Sequence, residues 1–205
     1  MNGKPLIRFM SLLMAAMAST ACVPMVVPLY SADPAQGKAL FSDCTIDKSM
    51  PDGIELQIDG VLAQVKLKQA ASREVVEVRL DVPENKTVQL QSDVVEIDLH
   101  DGRPAIEAHY PNISLVDSPG MHSFDTPPAL VRYMVPVQTP MIGGAMKTGN
   151  REWPKHFWMA ARLDTVRADA VTIRLPGMLI NGVSVRPREL DFRRRLVPIL
   201  APLNC

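Results

Sequence analysis

The sequence predicts an all-β protein, specifically an antiparallel β-sandwich, and three observations carry that expectation. Apolar and polar residues alternate at period two along several short runs. Proline is abundant, 18 of 205 residues, where a usual share is about 5%. An Asn-Gly pair, Asn181-Gly182, stands between two apolar runs. A β-barrel is the alternative way to close the same pattern.

Each element follows from a local rule. Ile54, Leu56 and Ile58 alternate with Glu55, Gln57 and Asp59. The runs 75–82, 88–91 and 95–99 do likewise, which marks strands with one buried and one wet face. Residues 129–137, 157–163 and 170–175 add three further candidates. Turn signals fall between these runs at Pro51-Asp52-Gly53, Pro83-Glu84-Asn85, Asp101-Gly102, Ser118-Pro119-Gly120 and 140–144. Asn-Gly favours a tight hairpin because both central residues take φ > 0, so 178–185 reads as two strands and a two-residue turn. The prolines suit loops and edge strands and disfavour long helices.

The N-terminus has the three parts of a secretory signal. Lys4 and Arg8 give a positive start, and no acid occurs before Cys22. Residues 9–18 form an apolar run, too short for the roughly 20 residues that span a bilayer. Ser19-Thr20-Ala21 then offers small residues to a signal peptidase.

The stretch Ala18-Ser19-Thr20-Ala21-Cys22 resembles the lipobox of bacterial lipoproteins, with Ser19 where that family usually has Leu. The resemblance implies that residues 1–21 are removed and that Cys22 receives diacylglycerol, giving a membrane partner through a lipid anchor. Ordinary cleavage after Ala21, yielding a soluble periplasmic or secreted chain, is the alternative. Val23 rather than Asp follows the cysteine. In enterobacterial lipoproteins that directs the chain to the inner leaflet of the outer membrane, facing the periplasm. Three cysteines are present, Cys22, Cys44 and Cys205. An oxidising compartment favours an even count, so lipidation of Cys22 leaves Cys44 and Cys205 as a disulfide, with two free thiols as the competing state.

Residues 22–42 carry three prolines and no clear period and read as a flexible tether, leaving 43–205 as a single domain. Net charge is zero, which argues against a general nucleic-acid binder. The distribution is uneven: residues 22–150 hold 10 Lys and Arg against 17 Asp and Glu, whereas 151–205 hold 10 against 5. Arg193-Arg194-Arg195 is the sharpest run. It reads as a solvated strand end or as charge paired within the chain, with contact to anionic lipid headgroups as the functional alternative.

Candidate sites are few. Trp153, His156, Phe157 and Trp158 concentrate both tryptophans in a chain with 5% aromatics. They suit a ligand-binding platform for a glycan ring or a protein side chain, or else the plug of a core. Asp98 and His100 are expected on one face of one strand, which is a weak start for a metal or hydrolase site. Ser118, His122, Ser123 and Asp125 share a loop without the glycine elbow of a nucleophile. No catalytic or metal set and no cofactor motif emerges. The sequence therefore leads to a non-catalytic, lipid-anchored envelope module with an envelope-protein or glycan partner. A carbohydrate-recognition module and an envelope hydrolase are the two rivals.

Overall fold

The computed structural model describes residues 23–41, 51–70, 73–116, 131–148, 151–164 and 168–201. In chain order its first strands are β1 (Val23–Ala32), β2 (Lys38–Leu40), β3 (Gly53–Ile58), β4 (Val61–Ala70), β5 (Arg73–Val82) and β6 (Thr87–Leu90). Next come β7 (Val94–Asp98), β8 (Ile106–His109), β9 (Ile113–Val116), β10 (Val131–Val135), β11 (Met141–Ile142) and β12 (Ala145–Thr148). The remainder are β13 (Arg151–Asp164), β14 (Ala170–Arg174), β15 (Met178–Ile180), β16 (Val183–Val185) and β17 (Glu189–Ala201). A 3₁₀ turn, Pro34–Gln36, sits between β1 and β2 with Asp33 as its N-cap.

These strands form three open antiparallel sheets, an all-β sandwich rather than a closed barrel. One sheet has the order β1-β17-β14-β7-β8. The largest runs β10-β9-β13-β5-β4-β3-β2, with β12 also paired to β13. A small sheet, β11-β6-β15-β16, completes the described architecture.

Alternation fixes the register. On β4, Val61, Ala63, Val65 and Leu67 are buried, and on β5, Val76, Val78, Leu80 and Val82. The intervening Gln64, Lys66, Glu77, Arg79 and Asp81 face the other way, so a slip of one residue would bury a row of charges. The inward set meets Val95, Ile97, Val171, Ile173, Leu190 and Phe192 of the five-stranded sheet in one apolar cluster. Each fully buried Val, Leu or Ile contributes about 1.5–3 kcal/mol to holding the sheets together. Tyr30 adds a polar tie between sheets: its hydroxyl shares one proton between Glu74 Oε1 on β5 and the Ala168 carbonyl, both at 3.3 Å. Burial, reinforced by the Glu74 charge, pushes that hydroxyl's pKa up and keeps it protonated.

Asn181 and Gly182 have φ of 51° and 79°, and Met178 to Ile180 pairs with Val183 to Val185, so the hairpin forms as the sequence predicts. Asp59-Gly60 does the same between β3 and β4, with φ of 46° and 80°. That turn carries a signal of equal strength which the sequence reading passes over.

Within the expected tether of residues 22–42, the described part holds a strand. Val23 to Ala32 pairs residue for residue with β17, from Val23 opposite Ala201 to Ala32 opposite Phe192. Prolines suggested a spacer, yet Pro24 and Pro28 lie on an edge strand, where a missing N–H breaks no ladder. Pro198 of β17 and Pro154 of β13 obey the same rule. β14 pairs β17 only through 189–193, and β5 pairs β13 only from Lys155 onward. Cys22, Cys44, Cys205 and the 118–125 loop lie outside the described residues.

Candidate functional site

The long strand β13 separates the aromatic stretch by pleat. Phe157 points into the core and is buried. His156 and Trp158 lie on the opposite face, and the side chain of Trp153 lies outside the described residues, its backbone pairing with Met146. Neighbours on one strand point alternately up and down, so His156 and Phe157 cannot share a platform.

On that opposite face His156 stands directly across from Asp81 of β5, and its Nδ1 lies 2.6 Å from Asp81 Oδ1. Arg79, two residues along, donates from Nε to Asp81 Oδ1 at 2.9 Å and from Nη2 to Oδ2 at 3.3 Å. The same Nη2 is 2.9 Å from His156 Nδ1 and 3.3 Å from Nε2. The guanidinium has only N–H groups to give and the carboxylate only acceptors, so the two compete for Nδ1; the shorter contact, 2.6 Å to Asp81, favours Nδ1 as the donor. Burial of Asp81 acts to raise its pKa. The His156 hydrogen bond and the Arg79 charge outweigh it and hold the carboxyl below the ordinary range.

This cluster belongs to a polar row that crosses the whole sheet. Lys38, Glu55, Gln64, Arg79, Trp158, Ser114 and Met134 are successive cross-strand partners from β2 to β10. Lys38 Nζ and Gln64 Nε2 donate to the two oxygens of Glu55 at 2.8 and 2.7 Å. Burial works to raise the Glu55 pKa, and these two donors bring it below the usual carboxylate value. Lys66 pairs with Asp52 at 3.0 Å and Lys68 with Glu77 at 2.9 Å. Lys66 is only 2% exposed, which a charged ammonium tolerates because the carboxylate meets it. These named charges of β2 to β5 and His156 neutralise one another in place.

A second constellation lies on the outer face of the five-stranded sheet. Asp98, Thr172 and Asp191 are opposite one another on β7, β14 and β17. His100 is not on the strand with Asp98, as the sequence suggested: β7 ends at Asp98, and His100 takes a left-handed φ of 53°. The Asp98 carboxylate accepts the His100 backbone N–H at 2.8 Å and fixes this turn. The imidazole reaches across to β14, with Nε2 2.8 Å from Thr172 Oγ1. Thr172 gives its proton to Asp191 Oδ1 at 2.5 Å, so His100 Nε2 must be the donor to the threonine oxygen. Asp98 Oδ2 is 3.9 Å from Nδ1, beyond hydrogen-bond reach. Three residue types of a nucleophilic triad are thus adjacent, but the proton order is reversed: the imidazole donates to the hydroxyl and is not placed to accept from it.

His100 separates two depressions. One, about 520 Å³, is bordered by Ser31, Asp33, Ala170, Asp191, Arg193 and Arg195. The other, about 480 Å³, is bordered by Asp101, Arg103, Ala168 and Asp169. In the second, Arg103 Nε donates to Asp101 at 2.8 Å, so its sharpest charges are already joined. The first differs, because Arg193 and Arg195 make no ion pair among the described residues.

Of the residues singled out by sequence, His156 and Trp158 share a face, Phe157 is structural, and Asp98 meets His100 through its backbone. Thr172, Asp191, Asp33 and Arg79 were not anticipated. Thr172 and Asp191 are unremarkable members of alternating runs, and only cross-strand register brings them to His100. No family model, curated protein or solved structure matches this chain.

Proposed function

We propose that this protein is a lipid-anchored, non-catalytic binding module of the bacterial envelope, held at the inner leaflet of the outer membrane and facing the periplasm. One observation carries the reading: a positive start at Lys4 and Arg8, an apolar run over 9–18 and the small residues Ser19-Thr20-Ala21 lead directly into Cys22. With Cys22 acylated, β1 starts one residue from the lipid, which holds the sandwich close to the bilayer rather than on a stalk. Several acyl chains, at about 0.8 kcal/mol per buried CH₂, make such an anchor durable.

The paired charges beside His156 and the reversed proton order at Thr172 support a binding role over catalysis. The pleat that sends Phe157 into the core and leaves His156 on the other face favours an envelope-protein or small-ligand partner over a glycan stacked on β13. Metabolic labelling of the host with a palmitate analogue, followed by intact-mass analysis, tests the anchor. The expected product begins at an acylated Cys22, and Cys22→Ala abolishes the label. An unacylated amino terminus on the natural protein would overturn the reading.

A further inference from the structure

Charge on the outer face of β17 is arranged in a way found on no other described strand. Its outward residues run Glu189, Asp191, Arg193, Arg195, two acids followed by two bases. Successive members are roughly 6.6 Å apart along the strand. Arg174 on β14 shows what such a guanidinium does when acids flank it. Its cross-strand neighbours are Glu96 and Glu189, and it bonds both, at 2.6 and 2.7 Å. Arg193 has Ser31 on one side and Ala170 on the other, and Arg195 has Leu29. None of these can supply a negative charge.

The acids at the other end of the groove are equally uncompensated. Asp191 accepts only from neutral groups, the Thr172 hydroxyl and the Gln36 amide, at 2.5 and 2.9 Å. Asp33 accepts the Ala35 N–H at 2.9 Å and caps its 3₁₀ turn. A hydrogen bond of 2.9 Å from the Asp33 N–H to the Asp191 carbonyl holds these two acids side by side. Two full negative charges and two full positive charges therefore border one cavity of about 520 Å³ without meeting. Like charges kept adjacent are unfavourable on their own. A ligand with an anion at one end and a cation at the other relieves both ends at once.

We propose that this groove binds a phosphoethanolamine-type head group, its phosphate between Arg193 and Arg195 and its ammonium against Asp33 and Asp191. The guanidinium forks match phosphate oxygens, while the carboxylates accept from the ammonium. The choice of phosphoethanolamine among zwitterions rests on the envelope reading above; the separation of charge in the groove does not.

The test is a calorimetric titration of the protein recovered from the host envelope in non-ionic detergent. The probes are O-phosphoethanolamine, inorganic phosphate, ethanolamine and dihexanoyl phosphatidylethanolamine. Both phosphoethanolamine compounds are expected to bind at least about tenfold tighter than phosphate or ethanolamine alone, a difference of about 1.4 kcal/mol. The pair Arg193→Gln and Arg195→Gln removes that binding. Asp33→Asn weakens the zwitterions and leaves phosphate binding unchanged. Tighter binding of the lipid form than of the free zwitterion assigns the source to the bilayer; the opposite order assigns it to a soluble compound, and both uphold the site. Inorganic phosphate binding as tightly as O-phosphoethanolamine would overturn the proposal. So would the double variant binding normally with an unchanged circular-dichroism spectrum. Loss of palmitate labelling with phosphoethanolamine binding retained would remove the anchor and leave the groove standing.

Discussion

The two large sheets pair the charges on their non-core faces to different extents. On the eight-stranded sheet, Lys38 meets Glu55, Lys66 meets Asp52, Lys68 meets Glu77, and Arg79 shares Asp81 with His156. On the five-stranded sheet, the row through Arg174 is paired, but one row further along β17 the arginines face serine, alanine and leucine. Cross-strand register accounts for the contrast, and burial raises its stakes on the larger sheet. Lys66 and His156 are 2% and 6% exposed, and a charge that has lost its water must be matched. Arg193 and Arg195 are exposed, keep their hydration, and are free to exchange it for a ligand. Charge paired across the ladder braces the framework; the unpaired arginines of β17 are the ones the proposed groove would use.

The largest expected effect that would break this comparison lies at Asp81. Asp81→Ala removes the acceptor shared by Arg79 and His156 and should cost about 3 kcal/mol, since breaking a buried pair strands the partner charge. Urea denaturation measures it, and a loss indistinguishable from zero would mean the cluster does not hold the sheet. The same carboxyl sets an acid limb. Its folded pKa is depressed, so its contribution is complete above roughly pH 5 and is lost as pH falls below the ordinary Asp value near 3.9. Glu55 acts in the same direction. Unfolding curves between pH 6 and pH 3 should show a steeper loss in the wild type than in Asp81→Asn.

A smaller effect is expected at Thr172. Thr172→Val keeps the shape but cuts the link between His100 and Asp191, at a cost of about 1 kcal/mol. Loss of the protected Nε2–H signal of His100 in proton NMR would accompany it; an unchanged signal would mean the imidazole has another acceptor. The smallest effect belongs to the groove arginines. Arg193→Gln with Arg195→Gln should shift stability by no more than about 0.5 kcal/mol, as befits exposed residues without partners. A loss of several kcal/mol in thermal unfolding would make them framework residues and erase the distinction between the sheets.

Much of the framework is legible in the chain. Ile54, Leu56 and Ile58 mark β3, the run at 75–82 marks β5, and Asn181-Gly182 marks a hairpin, because pleat and turn stereochemistry are local properties. The first strand was hidden. Its prolines resemble a spacer until the partner strand β17 is known, and only then does an edge position make them harmless. The aromatic stretch offers both a platform and a core plug, and the period-two rule already parts Phe157 from His156 and Trp158.

What the sequence determined by itself is the class of fold and about half of its described strands, since each depends on residues within a few positions of one another. Tertiary structure decided which charges meet. Arg174 and Arg193 are alike in sequence, an arginine on an alternating strand, yet one finds two glutamates across the ladder and the other finds serine and alanine. Cross-strand register, set by the burial of distant apolar residues, is the physical cause of that difference, and a single strand does not contain it.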